Sequence, residues 1–191
     1  MASNSLNGAI LKQIQFNPAT TIKPFDCGDE DLNEFLFLKA ANYRTLCLAT
    51  TFVLENKHET IAYFSILNDC VKIDESIFES KSAFKRFLKK MVRFGKRHLK
   101  NMPALKIGRL AIHKKYQGAG IGKTLIEKII LDAFQLNNQQ ACKLITVDAY
   151  RQSLNFYKKN GFEFLSELDA DDDIRQMYFD LTPLNENTNT T

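Results

Sequence analysis

The sequence lacks most of the features that mark membrane, secreted or metal-binding proteins. It has no Trp and only four Pro in 191 residues, and no apolar run reaches the roughly 18 residues that suggest a membrane-spanning helix. Its first residues, MASNSLNGAILKQ, form neither a basic segment nor an apolar block, so a signal peptide is not expected. We therefore expect a soluble protein of the cytoplasm.

Cysteine and histidine are too few and too scattered for a metal cluster or a disulfide framework. Zinc sites and disulfide-rich folds use closely paired residues such as C-x-x-C, and the four Cys and three His of this chain include no such pair. We expect each Cys to act as a small core hydrophobe, and we predict no metal cofactor. The cysteines are Cys27, Cys47, Cys70 and Cys142.

The composition that remains is typical of a globular domain. Hydrophobic residues make up 45% and charged residues 25% of the chain, and fifteen Phe and six Tyr supply apolar area for a core. Both fractions are close to those of ordinary globular proteins. We expect a single domain over 1–184, followed by a flexible polar tail over 185–191.

Charge is distributed unevenly along the chain. Nine of the 26 basic residues fall between 81 and 100, a stretch without any acid. Apolar residues recur there at helical spacing, which predicts an amphipathic helix with a basic face, set in an insertion at about 74–101. Acidic residues cluster at 167–173. For the helix, a solvated surface and a polyanion-binding face are equally weighted, whereas a solvated surface is favoured for the acidic loop.

The rest of the chain alternates predicted strands and helices, which indicates a mixed α/β fold. Apolar alternation and β-branched runs predict the strands, and apolar residues at helical spacing predict the helices, the first with Asp29 as its N-cap. The predicted strands are 10–16, 50–54, 60–67, 104–113, 142–149, 162–165 and 175–181, and the predicted helices are 29–41, 121–134 and 153–159, the last ended by Gly161.

A glycine-rich segment, Gln117 to Gly122, lies between a predicted strand and the helix that begins at 121; we call it the glycine loop. Alternate glycines let backbone N–H groups approach a ligand, and the helix start adds free N–H donors and the positive end of a dipole. An anion is therefore the expected ligand, and Lys114, Lys115 and Lys123 add positive charge. The nucleotide P-loop needs a Gly at 117, and the dinucleotide motif GxGxxG needs one at 123. ATP and NAD are therefore not expected.

Two motifs in this part of the chain point to one family. The residues Q-G-A-G-I-G follow a strand that ends in R-L-A-I, and N-F-Y-K-K-N-G-F occupies 155–162, one helix and one strand later. They resemble the acetyl-CoA pyrophosphate pattern R/Q-x-x-G-x-G/A and the signature N-F-Y-x-x-x-G-F of the GCN5-related N-acetyltransferases, the GNAT family. The resemblance covers about 104–165. A third stretch, F-D-C-G at 25–28 followed by L-N-E-F-L, is similar to the branch that contains toxins of toxin–antitoxin pairs.

The resemblance implies a fold, a co-substrate and a set of site residues. The implied fold has a mixed, mostly antiparallel central sheet of six to seven strands flanked by helices, and the implied co-substrate is acetyl-CoA. Tyr157 is implied to protonate the departing thiolate, a role that suits a phenol with a pKa of about 10. The residues implied to bind acetyl-CoA are Leu110, Ala111, Ile112, Gln117, Gly118, Ala119, Gly120, Ile121, Gly122, Lys123 and Asn155.

Three functions are compatible with these residues. The first is acetyl transfer to a primary amine of a small molecule or peptide, and the alternative is a toxin-like transfer to aminoacyl-tRNA, gripped by the basic helix at 81–100. A non-catalytic acetyl-CoA-binding module ranks third, because the glycine loop and Tyr157 are intact. The resemblance also allows a cognate antitoxin and a homodimer as partners. No general base is assigned; the candidates are Asp148, His113, Glu163 or a chain of water molecules.

Overall fold

The computed structural model describes residues 5–6, 9–10, 12–92 and 100–184. The predicted tail at 185–191 and three of the nine clustered basic residues, Arg93, Lys96 and Arg97, lie outside these ranges. The strands are β1 Ser5–Leu6, β2 Ala9–Ile10, β3 Lys12–Gln15, β4 Thr50–Glu55, β5 Thr60–Lys72, β6 Asn101–Ile112, β7 Leu144–Tyr150, β8 Glu163–Phe164 and β9 Ile174–Asp180. The α-helices are α1 Glu30–Glu34, α2 Ala40–Thr45, α3 Lys81–Met91, α4 Ile121–Leu136 and α5 Leu154–Lys159. Across the described ranges, no helix is long and apolar enough to span a membrane.

Seven strands form one sheet in the order β3-β4-β5-β6-β7-β9-β8, while β1 and β2 pair with each other. Strand β4 is antiparallel to both β3 and β5, with Val53 opposite Ile14 and Tyr63. Strand β9 is antiparallel to both β7 and β8, with Met177 opposite Val147 and Phe164. The mostly antiparallel sheet with flanking helices confirms the predicted fold class.

The strand boundaries depart from the sequence prediction where side-chain alternation is a poor guide. Strand β5 continues to Lys72, five residues beyond its predicted end, although Asn68 and Cys70 are polar or exposed. A strand inside a sheet is held by backbone hydrogen bonds on both sides, so it persists through residues that do not alternate. The first predicted strand, 10–16, is instead two short strands, β2 and β3, separated by Leu11, which lies outside the described residues.

The chain divides into two compact units, Met1–Asn68 with Ile107–Lys128, and Asp69–Lys106 with Ile129–Thr191. In the first unit the core forms around Tyr63, which is fully buried and donates a 2.7 Å hydrogen bond from its hydroxyl to the Leu32 carbonyl. The rings of Phe25 and Phe35 contact that of Tyr63 at centroid distances of 5.5 and 6.2 Å. The single-domain organisation over 1–184 stays a prediction.

The predicted helix at 29–41 is divided in the structure by a wider turn. Helix α1 begins as expected, because the Asp29 side chain accepts a hydrogen bond from the Leu32 N–H and caps it. A π-helical turn over Phe35–Lys39 then separates α1 from α2, and the Ala40 N–H bonds to the Phe35 carbonyl. Such a turn brings residues five apart onto one face, and Phe35 and Ala40 both enter the core of the first unit.

In the second unit, the apolar side of α3 is buried. The Ser80 hydroxyl caps this helix by accepting from the Ala83 N–H, and Ala83, Phe87, Leu88 and Met91 are buried. The helix ends at Met91, earlier than the predicted basic helix over 81–100, because the backbone of Val92 is extended (φ −129°, ψ 100°). The amphipathic character of the segment is confirmed for 81–91.

The prediction that every cysteine is a core residue is wrong for two of the four. Cys27 and Cys142 are buried, whereas Cys47 and Cys70 are exposed. Cys47 follows α2 with a φ of 56°, and it is the one described non-glycine residue with positive φ. A side chain in this left-handed region costs roughly 1–2 kcal/mol because Cβ approaches the following carbonyl oxygen.

We predict that Cys47→Gly stabilises the protein. Glycine removes the Cβ strain but adds about 0.5–1 kcal/mol of chain entropy to the cost of folding, so the expected net gain in the free energy of unfolding is up to about 1.5 kcal/mol. Urea denaturation measures it. The matched control is Cys70→Gly, at a cysteine that is also exposed but lies inside β5. This variant should have a lower urea midpoint, because glycine weakens a strand. A destabilised Cys47→Gly variant would contradict the prediction.

Candidate functional site

The glycine loop lies in the first unit, where its backbone is open to solvent. Strand β6 ends at Ile112, a short helical turn covers Lys114–Tyr116, and α4 begins at Ile121. Gly118 and Gly120 have φ values of +79° and +83°, a left-handed conformation that favours glycine. A Cβ built at either position has no heavy atom within 4 Å. The positive φ values, and not crowding within the fold, are therefore the reason for glycine at these two positions. The space next to the loop backbone is open.

The first turn of α4 offers several backbone donors to this open space. Its first intrahelical bond runs from the Thr124 N–H to the Gly120 carbonyl, at 3.2 Å. The N–H groups of Ile121, Gly122 and Lys123 precede that bond and have no acceptor within the helix. These donors and the positive end of the helix dipole favour an anion.

One side chain and one backbone N–H attach the loop and its approach to the F-D-C-G stretch singled out in the sequence. The Gln117 side-chain amide donates to the Cys27 carbonyl at 2.9 Å and to the Ile112 carbonyl at 3.1 Å. Lys114 donates its backbone N–H to the Asp26 carbonyl at 2.8 Å. The side-chain nitrogen Nε2 of Gln117 is therefore already bonded within the protein. The backbone N–H of Gln117 is the donor that this residue can offer to a ligand.

The three lysines around the loop contribute less free positive charge than the sequence suggests. Each forms an ion pair with a carboxylate of the first unit, so none is an isolated cation. The Lys114 hydrogen bond is the largest of the effects that hold the pKa of Asp26 well below its ordinary value. The pairs are Lys114 with Asp26 at 2.6 Å, Lys115 with Glu59 at 3.0 Å and Lys123 with Glu127 at 3.7 Å.

Tyr157 and Asn155 lie on α5, in the second unit. Asn155 is exposed in the first turn, and Tyr157 is 6% exposed, with its ring packed against those of Phe156 and Phe162 at 5.1 and 5.3 Å. Burial raises the pKa of Tyr157 above its ordinary value. The phenol therefore stays protonated through the neutral range, as a proton donor must.

A turn at Gly161 ends α5 and fixes the position of the helix that carries Tyr157. Gly161 has a φ of +85°, and a Cβ there would lie 3.1 Å from the Phe179 ring. The Phe162 N–H donates to the Tyr157 carbonyl at 3.1 Å, which closes the helix. The predicted role of Gly161 as a helix terminator is confirmed.

All three side chains considered as general bases have protein partners. Asp148 pairs with Lys106 at 2.5 Å, and Glu163 pairs with Lys90. His113 is 5% exposed; its Nδ1 accepts from the Lys115 N–H at 3.2 Å, and its Nε2 lies 3.5 Å from Glu59. Each of the three candidates is therefore bonded within the protein rather than isolated.

The acidic loop at 167–173 is partly neutralised by one arginine. Arg175 is 6% exposed, and its guanidinium bonds to Asp169 and Glu167 at 3.0 and 3.1 Å and to the Ser166 carbonyl at 2.8 Å. Asp171, Asp172 and Asp173 are exposed. The loop is therefore an arginine-anchored turn with three surface aspartates.

The structure assembles the predicted cofactor residues as two contiguous groups. Leu110 to Lys123 belong to the first unit, and Asn155 belongs to the second with Tyr157. Glu59 and the Cys27 carbonyl fix the approach to the glycine loop but were not predicted from the sequence. No local spacing signals them, because they are distant from the loop along the chain. Across the described ranges, no three His, Cys, Asp or Glu side chains are grouped to hold a metal ion.

Similar proteins of known structure share this fold over nearly their whole length. One, described as a bacterial toxin, has a TM-score of 0.75 and 15% identity, and the match covers 96% of this chain and 97% of that one. The toxin AtaT complexed with acetyl-methionyl-tRNAfMet has a TM-score of 0.71 and 21% identity, over 92% and 97%. A mutant AtaT bound to the C-terminus of the antitoxin AtaR and acetyl-CoA has a TM-score of 0.67 and 20% identity, over 91% and 94%.

A sequence-family comparison gives the same result from the residues themselves. Residues 48–164 match the family described as the acetyltransferase (GNAT) domain, a span of more than half the chain. The span includes the glycine loop and the whole of the N-F-Y-K-K-N-G-F signature. The chain belongs to the GNAT family: it is an N-acetyltransferase, and acetyl-CoA is its acetyl donor.

Proposed function

We propose that this protein transfers the acetyl group of acetyl-CoA to the α-amino group of an aminoacyl-tRNA. Acetyl transfer to a primary amine is common to this proposal and to the small-molecule or peptide acceptor that leads the sequence analysis. The observation that carries the tRNA acceptor is the basic face of α3. The near full-length similarity to AtaT, a toxin complexed with acetyl-methionyl-tRNAfMet, supports it.

The exposed face of α3 is basic, and two of its cations, Arg86 and Lys90, are paired with Glu79 and Glu163. Lys81, Lys85 and Lys89 are exposed and have no acidic partner in the described part of the chain. The first turn of the helix has no acidic residue, although a cation there opposes the helix dipole. A row of unneutralised cations suits the phosphate backbone of a nucleic acid, which attracts lysine through charge rather than sequence.

In this proposal the acetyl-CoA pyrophosphate is bound by the glycine loop and the first turn of α4. The donors are the backbone N–H groups of Gln117, Gly118, Gly120, Ile121, Gly122 and Lys123, while the N–H of Ala119, in the same loop, donates to the Tyr116 carbonyl at 3.4 Å. Main-chain groups of Leu110 and Ile112, on either side of Ala111, form hydrogen bonds with the acetyl group and with the amides of the pantetheine arm. The side chain of Asn155 contacts the pantetheine arm. The open Cβ positions of Gly118 and Gly120 support this assignment.

The proposed chemistry is direct attack by a neutral amine on the thioester carbonyl. The C–N bond forms and the C–S bond breaks, backbone N–H groups of β6 stabilise the oxyanion, and Tyr157 donates its phenolic proton to the CoA thiolate. The attacking nitrogen gives up its proton to water, and water returns a proton to the Tyr157 phenolate, so the products are the N-acetylated amine and the CoA thiol. An α-amino group has a pKa of about 7.7–8.0, against about 10.4 for lysine, so a large neutral fraction exists without a dedicated base. The pairing of Asp148, His113 and Glu163 supports an α-amine acceptor for this reason.

Removing two charges from α3 tests the tRNA proposal. We expect Lys85→Ala/Lys89→Ala to raise the dissociation constant for aminoacyl-tRNA about tenfold and to lower the salt slope of log K by about 1.5, since each lost phosphate contact removes about 0.7–0.9. The KM for acetyl-CoA should not change. Filter binding over a salt series measures both effects.

The matched control removes the same charge elsewhere. Lys39→Ala/Lys57→Ala replaces two exposed lysines of the first unit, and its tRNA affinity should stay within about twofold of wild type. Equal losses in both double variants would show that net charge, not α3, attracts tRNA. The antitoxin bound to AtaT makes a cognate antitoxin a proposed partner of this chain as well.

A further inference from the structure

Glu59 lies at the end of the turn that connects β4 to β5, and its carboxylate gathers three side chains from the approach to the glycine loop. The Tyr116 hydroxyl donates to Glu59 Oε1 at 2.7 Å, and Lys115 Nζ donates to Oε2 at 3.0 Å. His113 Nε2 lies 3.5 Å from Oε2. The Glu59 side chain is only 17% exposed, so these partners replace much of its hydration.

The partners of Glu59 form the short turn that leads directly into the loop. Tyr116 is the last residue of that turn, and its carbonyl accepts from the Ala119 N–H at 3.4 Å. The Lys115 N–H is itself fixed on His113 Nδ1 at 3.2 Å. Side-chain bonds to Glu59 therefore fix the backbone from which the Gln117–Gly120 segment begins.

The protonation states of this cluster suit a permanent anchor. Hydrogen bonds from Tyr116 and Lys115 lower the pKa of Glu59, and the same bonds raise the pKa of Tyr116 and of Lys115. The carboxylate is therefore ionised and both donors are protonated across the neutral range. Hydrogen bonds with a charged partner are about twice as strong as neutral ones.

We propose that Glu59 is a positioning residue for acetyl-CoA: it holds Tyr116 and Lys115 so that the glycine loop keeps its ligand-binding conformation before the ligand arrives. A loop ordered in advance loses less conformational entropy on binding. The inference rests on the proposed binding of the pyrophosphate by the glycine loop. It assigns Glu59 a role in affinity for the co-substrate rather than in the acetyl-transfer step.

The test compares CoA binding and acetyl-CoA kinetics in variants of Glu59 and Tyr116. We expect Glu59→Ala to raise both the Kd for CoA and the KM for acetyl-CoA about tenfold, with kcat for aminoacyl-tRNA within about twofold of wild type. Glu59→Gln keeps an acceptor for Tyr116 and should lose only about threefold, as should Tyr116→Phe. The Glu59→Ala/Tyr116→Phe double variant should lose no more than Glu59→Ala alone, because both changes break one interaction.

The control lies at the other end of the same turn. Glu55 is a similarly buried carboxylate that pairs with Lys23 at 2.9 Å, and it is not bonded to the approach to the loop. Glu55→Gln should leave CoA affinity unchanged. An equal loss of affinity in Glu55→Gln, or unchanged affinity in both Glu59→Ala and Tyr116→Phe, would overturn the inference. Wild-type protein that fails to bind CoA would instead overturn the proposed site. If Glu59→Ala does not fold, the CoA affinity of Tyr116→Phe tests the inference in its place.

Discussion

Replacing Gly120 by Val is expected to weaken CoA binding by about 100-fold or more. Gly120 has a φ of +83°, a conformation that a β-branched residue adopts only with strain, so the loop changes shape. The loop then loses backbone bonds to the pyrophosphate, each worth about 1.5–3 kcal/mol for a charged partner. Two such bonds suffice, since about 1.4 kcal/mol is tenfold in affinity.

Isothermal titration with CoA measures this loss, and Gly28→Val is its control. Gly28 has a φ of +84°, and a Cβ there also meets nothing within 4 Å, so the substitution imposes a similar backbone strain outside the loop. Because the neighbouring Cys27 carbonyl accepts from the Gln117 side chain, a small loss of CoA affinity is expected. The two variants should have similar urea midpoints, but Gly28→Val should bind CoA within a few-fold of wild type. A Gly120→Val protein with unchanged CoA affinity would show that the pyrophosphate lies elsewhere.

The second large effect is expected for Tyr157→Phe, which should lower kcat about 100-fold or more while leaving the KM for acetyl-CoA nearly unchanged. Removal of a general acid typically costs 10²–10⁴-fold. Because burial raises the pKa of Tyr157, the wild-type phenol is protonated from about pH 6 to pH 9. The loss should therefore be the same at every pH in that range.

A pH profile of kcat separates this role from the alternatives. A loss that grows with pH would indicate that Tyr157 acts as a phenolate base, and full turnover in Tyr157→Phe would remove it from the mechanism. Tyr178→Phe is the control, because Tyr178 is also buried in the second unit and loses a hydroxyl bonded to Glu163 at 3.0 Å. Its kcat should stay within about twofold of wild type.

The sequence predicted the features that depend on local residue chemistry. The Asp29 cap, the start of α4 at Ile121 and the left-handed Gly161 each follow from a residue type at a fixed position, and the structure has all three. The fold class followed from two motifs whose spacing suits one family. The π-helical turn at Phe35–Lys39 could not be predicted from these local signals, because it arises from burying Phe35 and Ala40 in one core.

The parts of the site that the sequence could not give depend on contacts between distant residues. From the sequence, free positive charge is expected at Lys114, Lys115 and Lys123. In the structure each of these lysines forms an ion pair with a carboxylate. Glu59 and Tyr116 are far apart in the chain, and only the pairing of β4 with β5 and the turn after β6 brings them together. Composition and periodicity contain no record of such contacts.

The most direct test of the account is acetyl transfer from labelled acetyl-CoA to aminoacyl-tRNA, with polyamines, free amino acids and peptides as parallel acceptors. We expect label in the RNA fraction, which mild base releases as an N-acetylated amino acid, and no label on deacylated tRNA. Label on small amines or peptides alone, from protein that binds CoA, would contradict the tRNA acceptor and return the basic face of α3 to solvated surface.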